Sequence, residues 1–331
     1  MTGLADIEGV DLGSIESLSV TSAWSDDAGT TLLSPLDLQC IKASGVTFAV
    51  SALERVIEER ARGDADAANV IRDGLKARIG GDLKDLKPGS DRAEAVKTAL
   101  IADGLWSQYL EVAIGPYAEI FTKAPVLASV GWGAAVGVRA DSAWNNPEPE
   151  MVVVCDPNGK ALGATLGNDV NLRDIEGRSA LLLGKAKDNN ASAALGPFIR
   201  LFDGRFGMDD VRSAVVGLSV EGEDGFRLEG ESSMSLISRD PEELIAQTLS
   251  AHQYPDGFAL YLGTMFAPVE DRGAAGKGFT HKVGDRVRVS SGRLGVLENV
   301  VMTCEQAPPW TLGIGGLMQN LAARGLLGDA A

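Results

Sequence analysis

Hydrophobic residues in the first third of the chain recur every three or four positions, the spacing of one face of an α-helix. Charged residues fill the positions between them. The residues that follow this rule in the first predicted helix are Phe48, Ala49, Leu53, Val56 and Ile57. The same spacing predicts a second helix over residues 65–79, which Gly80-Gly81 ends, and a third over residues 92–104. The N-terminal portion is therefore predicted to be largely helical.

The pattern changes at about residue 120, where short β-branched runs begin to alternate with glycine and proline. Such runs are typical of strands and turns. The predicted strands cover residues 126–130, 134–138, 151–155, 160–166, 214–220, 226–229 and 283–289. Asp240-Pro241 predicts the start of a further helix, because proline is well suited to the first helical turn. The pattern thus predicts an α+β protein with a β-rich second portion.

An extended segment with two acidic residues precedes the run at residues 151–155. Asn146 and Glu148 each stand before a proline, and a residue in that position is pushed out of the helical region. Residues two apart in an extended chain point to the same side. Glu148 and Glu150 are therefore predicted to project together.

A hairpin is predicted to bring a third acid to the same place. Asn158-Gly159 is the strongest short hairpin signal, because both central positions of a type I′ turn require positive φ. With this pair as the loop, Pro157 lies opposite Lys160, and counting back pairs Glu148 with Asp169. Opposed residues share a face, with Cβ atoms roughly 5 Å apart.

Three converging carboxylates indicate a divalent metal site. Without a cation Glu148, Glu150 and Asp169 would repel each other, whereas Mg²⁺ or Mn²⁺ prefers such oxygen ligands. Any one of these acids alone is better interpreted as a solvated residue on a strand edge. Asp174, which follows Arg173, is predicted to form an ion pair or a helix cap rather than to bind metal.

Composition restricts the class of protein. The net charge of −16 argues against nucleic acid and against an anionic membrane surface, since both attract basic patches. The three cysteines are widely spaced and predict neither a disulfide framework nor a zinc site. The acidic start lacks a signal peptide's basic region, and the longest uncharged apolar stretch, residues 124–138, is too short to cross a bilayer. A cytoplasmic location is predicted.

Few other side chains suggest chemistry. Lys187 follows the acidic hairpin, and a lysine near a metal-bound anion can bind a carboxylate, or act as a base if burial lowers its pKa. Taken alone, any lysine is better interpreted as a surface residue. His252 and His281 are the chain's two histidines, and structural or solvated roles are predicted for both. No phosphate-binding loop or dinucleotide fingerprint is present.

Several motifs together resemble the fumarylacetoacetate hydrolase family, over residues from about 118 to the end. They are Asn146-Pro-Glu-Pro-Glu150, Gly167-Asn-Asp-Val170, Arg173-Asp174, Ala186-Lys187, Ala194-Leu-Gly-Pro197, Gly263-Thr264 and Gly284-Asp285. Four further segments resemble the sugar-acid dehydratase branch of the family and extend the match to residues 34–328. They lie at residues 36–62, 139–144, 188–192 and 261–268.

The resemblance implies a fold and a set of site residues. It implies a mixed β-roll core in residues 118–331, preceded by the largely helical portion 1–117, in a homodimer or homotetramer. It implies Mg²⁺, or Mn²⁺, as the metal cofactor and a small 2-keto acid as substrate. The implied site residues are the metal ligands Glu148, Glu150 and Asp169, the catalytic Lys187, the substrate-binding Ser142, Lys187 and Thr264, and the supporting Arg173 and Glu176.

The implied reaction is dehydration of a 2-keto-3-deoxy-pentonate to 2-oxoglutarate semialdehyde through a metal-stabilised enolate. The alternative within the family is an acylpyruvate-type hydrolase that cleaves a carbon–carbon bond. Such hydrolases commonly use an early histidine, and this chain has none before residue 252. A third interpretation, a catalytically silent binding protein, conflicts with the retained acids and Lys187. The related sequences extend further before residue 34, so an N-terminal β segment is expected to be short, divergent or missing.

Overall fold

The computed structural model describes residues 13–14, 17–23, 29–61, 70, 71, 74, 86–266, 268, 270–272 and 278–327. The helices are α1 (Ala49–Ala61), α2 (Asp91–Ala102), α3 (Gln108–Ile114), α4 (Arg173–Glu176), α5 (Leu183–Lys187), α6 (Met208–Arg212), α7 (Pro241–Leu249) and α8 (Ile314–Ala323). The strands are β1 (Cys40–Gly45), β2 (Glu119–Ala124), β3 (Ala135–Val138), β4 (Asn145–Asn146), β5 (Pro149–Cys155), β6 (Ala161–Asp169), β7 (Asn171–Leu172), β8 (Ala193–Leu201), β9 (Val215–Glu221), β10 (Arg227–Ser233), β11 (Phe258–Tyr261), β12 (Arg286–Ser291) and β13 (Gly295–Thr303). This is a mixed α and β protein.

Two mixed sheets form the body of the protein. The first has the strand order β2-β1-β11-β5-β6-β8, and the second has the order β10-β9-β12-β13-β3. Each contains one parallel pair, β1 with β11 and β13 with β3. Strands β4 and β7 form a small antiparallel pair near the site described below.

The main core lies between the two sheets. Val153 and Leu166 from the first sheet belong to the same buried cluster as Val216, Val287 and Leu297 from the second. Removing each such side chain from water stabilises the fold by about 1.5–3 kcal/mol. The opposite face of the first sheet is also covered, so β5 is buried on both sides and reads as a continuous apolar run.

The acidic hairpin has the predicted register but not the predicted turn. Gly159 alone adopts positive φ, at 81°, and the backbone amide of Asp156 donates to the carbonyl of Lys160 at 3.0 Å. The loop therefore has three residues, not two. Leu162 is then bulged, because Cys155 pairs with Ala161 while Val154 pairs with Gly163. This extra residue restores the register, so the type I′ prediction is wrong while the pairing further along the strands is confirmed.

The other predicted elements have mixed outcomes. The strand predicted at residues 126–130 is wrong, because Leu127 takes a positive φ of 64° and bends the chain. The helix predicted at Asp240-Pro241 is confirmed as α7, whose first turn is capped by the Asp240 side chain. Helices α1 and α2 lie where the first and third helices were predicted. Most of residues 65–79 lies outside the described residues.

The early part of the chain also supplies a strand. Strand β1 lies inside the first sheet, between β2 and β11. Helices α1, α2 and α3 pack against one another in a separate buried cluster, which includes Ala52, Val96 and Leu110. Among the described residues, no helix has the length and apolar character that crossing a membrane would require.

Candidate metal centre and active site

Three acids converge at the open end of the β5–β6 hairpin. One oxygen from each of Glu148, Glu150 and Asp169 lies within 4.8 Å of the others. Pairing across the hairpin sets this geometry, because the amide of Asp169 donates to the carbonyl of Glu148 at 3.0 Å. The predicted convergence of the three carboxylates is confirmed.

Neighbouring groups fix the orientation of two of these acids. The backbone amide of Gly263 donates to Oε2 of Glu150 at 2.7 Å. Gly263 has a φ of 91°, and a Cβ there would lie 2.1 Å from Oγ1 of Thr47. The side-chain amide of Asn171 donates to Oε1 of Glu148 at 2.9 Å. Hydrogen bonds of this kind hold carboxylate ligands in a single orientation.

Two buried lysines contact the acids. Nζ of Lys187 lies 2.5 Å from Oε2 of Glu148 and 2.9 Å from Oδ2 of Asp169. Nζ of Lys123 lies 2.7 Å from Oδ1 of Asp169 and also donates to the carbonyls of Val170 and Lys187. Lys187 comes from α5 and Lys123 from β2, so Asp169 joins two elements that are distant in sequence.

The electrostatics of the acids differ because their neighbours differ. Burial, followed by the charges of Asp169 and Glu148, raises the pKa of Glu150 well above its ordinary value. Burial also raises the pKa of Glu148, although Lys187 opposes this. For Asp169 burial is outweighed by Lys123 and Lys187, so the pKa of Asp169 falls below its ordinary value. Asp169 is thus held ionised, while for Glu150 the opposing charge of Lys187 is outweighed by burial and by the two neighbouring acids.

Lys187 is held in its charged form. Burial favours the neutral amine, but the charges of Asp169 and Glu148 outweigh it and raise the pKa of Lys187 well above its ordinary value. A base at neutral pH would need a pKa shifted in the opposite direction. This favours Lys187 as a donor of protons and hydrogen bonds.

The acids lie in a cavity of about 630 Å³. Its described walls come from β1, α1, α3, the start of α4 and the segment after β11. The lining residues used below are Glu119, Arg173, Glu176, Lys187 and Thr264. Neither of the chain's two histidines is among them. The cavity is large enough for a small organic acid.

Glu119 is an acid of the cavity wall that sequence reasoning missed. It begins β2 opposite Gly45, where a Cβ would lie only 1.9 Å from Oε2 of Glu119. Burial, followed by the negative charge of Glu176, raises the pKa of Glu119 to about 7. A carboxyl group with this pKa can both take up and release a proton near neutral pH.

The remaining predicted site residues are divided between the cavity and its surroundings. Thr264, Glu176 and Arg173 line the cavity, and the Arg173 guanidinium lies 5.2 Å from the Trp144 ring. Ser142 is not among the lining residues, and its hydroxyl hydrogen-bonds Asp174 at 2.8 Å.

Asp174 and His281 make structural contacts, but the helix cap considered for Asp174 is not seen, because the N-terminus of α4 has no side-chain cap. Asp174 also accepts from the amide of Ala143, so it braces the loop before the acidic segment. His281 is buried beside Asp285 at 3.4 Å.

The two missed residues, Glu119 and Lys123, come from the same strand. Their spacing of four on a short strand places charged side chains where one face should be apolar. Residues 119–124 are not among the predicted strands, and recognising them as a strand with a charge at each end is the step that could have identified these two residues. Their partners, however, lie more than forty residues away along the chain.

Two curated relatives share part of the chain. Over 179 residues it is 35% identical to 2-dehydro-3-deoxy-D-arabinonate dehydratase of Saccharolobus solfataricus, covering 54% of this chain and 57% of that protein. Over 195 residues it is 29% identical to a probable 2-keto-3-deoxyxylonate dehydratase of Haloferax volcanii, covering 59% and 64%. The chain thus spans less than two thirds of the length of these relatives. It matches no family model.

Solved structures show the same relationship. The apo form of a 2-keto-3-deoxy-D-arabinonate dehydratase is 25% identical, with a TM-score of 0.62, covering 90% of this chain and 82% of that chain. A 2-keto-3-deoxy-D-arabinonate dehydratase complexed with magnesium and 2,5-dioxopentanoate is 33% identical, with a TM-score of 0.53, covering 60% and 66%. These comparisons confirm the resemblance to the sugar-acid dehydratase branch of the fumarylacetoacetate hydrolase family.

Proposed function

We propose that this protein is a metal-dependent hydro-lyase that dehydrates a 2-keto-3-deoxy-pentonate, derived from xylonate or arabinonate, to 2-oxoglutarate semialdehyde. This product is 2,5-dioxopentanoate, the compound bound in one of the related structures. The observation that carries the proposal is the convergence of three acids, with Lys187 and Glu119, on one cavity. The similarity to the dehydratases supports the choice of reaction.

The donor set fits Mg²⁺ or Mn²⁺. Glu148, Glu150 and Asp169 offer only hard oxygen ligands, and the raised pKa of Glu150 reflects burial first and then repulsion from Asp169 and Glu148, which a divalent cation would relieve. These three acids would hold the ion. Bound there, the metal would supply Lewis acidity to the 2-keto acid and so acidify the protons on carbon 3.

Proton transfer is assigned to the two other groups of the cavity. Glu119, with a pKa of about 7, takes the proton from carbon 3. Lys187, held protonated by Glu148 and Asp169, supplies a hydrogen bond or a proton to the oxygen that leaves carbon 4. The unsaturated keto acid then isomerises to the aldehyde. Lys187 remains the catalytic residue predicted from the sequence, but as a donor, and Glu119 replaces it as the base.

Substrate contacts are assigned to the remaining polar wall. Thr264 lines the cavity and follows Gly263, whose amide donates to Glu150. We assign Thr264 to the substrate carboxylate. Arg173, which faces Trp144, adds positive charge to a wall that receives an anionic substrate. Ser142 contributes through Asp174 rather than through the cavity.

The test is incubation of purified protein with 2-keto-3-deoxy-pentonates and, separately, with acylpyruvates, each with and without EDTA. We expect 2-oxoglutarate semialdehyde from the sugar acid, and no product after metal removal. Pyruvate and glycolaldehyde would indicate an aldolase. Rapid cleavage of acylpyruvates without semialdehyde formation would establish the hydrolase alternative.

Three broader features belong to the same proposal. The chain is assigned to the cytoplasm, where its three free cysteines would stay reduced. It is proposed to act as a homodimer or homotetramer, and residues 118–331 are proposed to form the catalytic domain behind a largely helical portion 1–117. The resemblance to the family supports the assembly and the division.

A further inference from the structure

One buried amide group joins a proposed metal ligand to an acid of the cavity wall. Nδ2 of Asn171 donates to Oε1 of Glu148 at 2.9 Å and to Oε2 of Glu176 at 2.7 Å. Asn171 is 0% exposed and lies in β7, immediately before the helix that carries Glu176. Because an amide nitrogen has two hydrogens, these two bonds use its full donor capacity.

We infer that Asn171 is a positioning residue that keeps Glu176 out of the metal's coordination shell, so that the ion is held by three carboxylates rather than four. The inference rests on the proposed function. Glu176 lines the cavity with the three acids, yet it is not part of the group whose oxygens converge within 4.8 Å. The hydrogen bond from Asn171 occupies Oε2 of Glu176.

Charge explains why the separation matters. A divalent ion and three carboxylates together carry one net negative charge, and a fourth carboxylate would double that charge. A small ion such as Mg²⁺ has six coordination positions, and each further carboxylate takes one from the substrate. An anionic 2-keto acid would therefore meet both more repulsion and fewer open positions. Held by Asn171, Glu176 instead remains an acceptor for a hydroxyl group of the substrate.

The test is a double-mutant cycle on metal affinity, measured by titration calorimetry with Mg²⁺ and Mn²⁺ in the absence of substrate. In the otherwise unchanged protein, Glu176→Gln should alter the dissociation constant by less than about threefold, because Glu176 does not bind the ion. In the Asn171→Ala background Glu176 is free to move, and adding Glu176→Gln should weaken binding by roughly tenfold or more. The cycle cancels any direct effect of Asn171 on Glu148.

A matched control is Asn145→Ala, which removes another buried amide from the same two-stranded pair but one that contacts Ser142 instead of an acid. Glu176→Gln should have the same small effect there as in the unchanged protein. Equal effects of Glu176→Gln in all three backgrounds would overturn the inference, while leaving the proposed dehydration intact. Metal binding without any dehydration by the unchanged protein would overturn the proposed function alone. Absence of metal binding would overturn both.

Discussion

Lys123 contacts the carboxylate of Asp169 at 2.7 Å although both side chains are buried. The second oxygen of Asp169 contacts Lys187 at 2.9 Å. One carboxylate therefore contacts two buried ammonium groups, and it lies at the position that the sequence assigns to a metal ligand. Asp169 is thus expected to serve both the fold and the site, whereas Glu150, which accepts from the backbone amide of Gly263, serves the site alone.

Asp169→Asn and Glu150→Gln should both abolish turnover but should differ in stability. Asp169→Asn leaves the buried Lys123 without its carboxylate and Lys187 with Glu148 alone, and removing one partner of a buried ion pair costs about 3–5 kcal/mol. Glu150→Gln removes a buried negative charge, so the free energy of unfolding should stay the same or rise. Urea denaturation in EDTA at pH 8 measures both. An equal loss of stability in the two variants would contradict this.

Lys187→Met should lower kcat/KM by about three orders of magnitude, within the range observed for acid–base groups. Lys187 contacts two of the proposed ligands but is not a ligand itself, so the variant should still bind Mg²⁺. Lys185→Met is the matched control on the same helix. The Lys185 side chain is half exposed and lies 4.0 Å from Asp141, so its loss should be mild. An unchanged rate for Lys187→Met would leave the proton donor unassigned.

Glu119→Gln should lower kcat by about 10²–10⁴-fold if Glu119 is the base. It should also change how stability depends on pH. The folded-state pKa of Glu119 is raised from 4.5 to about 7, so its contribution is fully present below pH 4.5 and is lost as the pH rises to 7. That loss is up to about 3 kcal/mol.

The measurement for Glu119 is a series of unfolding curves from pH 4.5 to 8 in EDTA. Relative to the unchanged protein, Glu119→Gln should gain stability across this interval and show no further gain above it. A difference between the two proteins that does not vary with pH would show that Glu119 titrates normally.

Gly263→Ala should disrupt the acids without touching one of them. The substitution strains a backbone with a φ of 91° and places a Cβ 2.1 Å from Oγ1 of Thr47. The amide that holds Glu150 must then move, so we expect weaker Mg²⁺ binding, by roughly 10–100-fold. Gly184→Ala is the control, since a Cβ there meets no atom within 4 Å. Calorimetry with Mg²⁺ on both variants decides the matter.

Substrate deuterated at carbon 3 tests the order of bond breaking. Since the proton on carbon 3 must leave before or with the hydroxyl on carbon 4, deuterated substrate should react more slowly if chemistry limits the rate. If chemistry is not limiting, the remaining substrate should instead lose deuterium to the solvent. Mass spectrometry of the remaining substrate and of the product distinguishes the two. Full retention of both deuterium atoms in the product would contradict a mechanism that begins at carbon 3.

The sequence predicts the three acids because they lie on one hairpin. Their convergence depends on local rules: the restriction before proline, the alternation of strand side chains and a short turn. It could not predict Lys123 or Glu119 in the same way. Strand β2 reaches the site only because β1 pairs with β11 in parallel, a contact between segments more than 200 residues apart.

The contact made by Ser142 could likewise not be predicted from local rules. Ser142 lies close to the acids in the sequence, but in the structure its hydroxyl hydrogen-bonds the carboxylate of Asp174. The role of Lys187 likewise depended on neighbours that the sequence does not place. Only the folded structure shows two acids against its ammonium group, and their charges raise its pKa.

Because of the bulge at Leu162, the number of residues in the hairpin determines which side chains of β5 and β6 share a face. Removing one residue from the turn, or the bulged residue alone, would shift the pairing of the two strands by one residue. Because side chains alternate along a strand, such a shift moves each side chain of the shifted strand to the other face. Glu148 would then no longer share a face with Asp169. Insertions and deletions here must therefore occur in compensating pairs, which means that a designer could shorten the loop to a true two-residue turn only by straightening β6 at the same time.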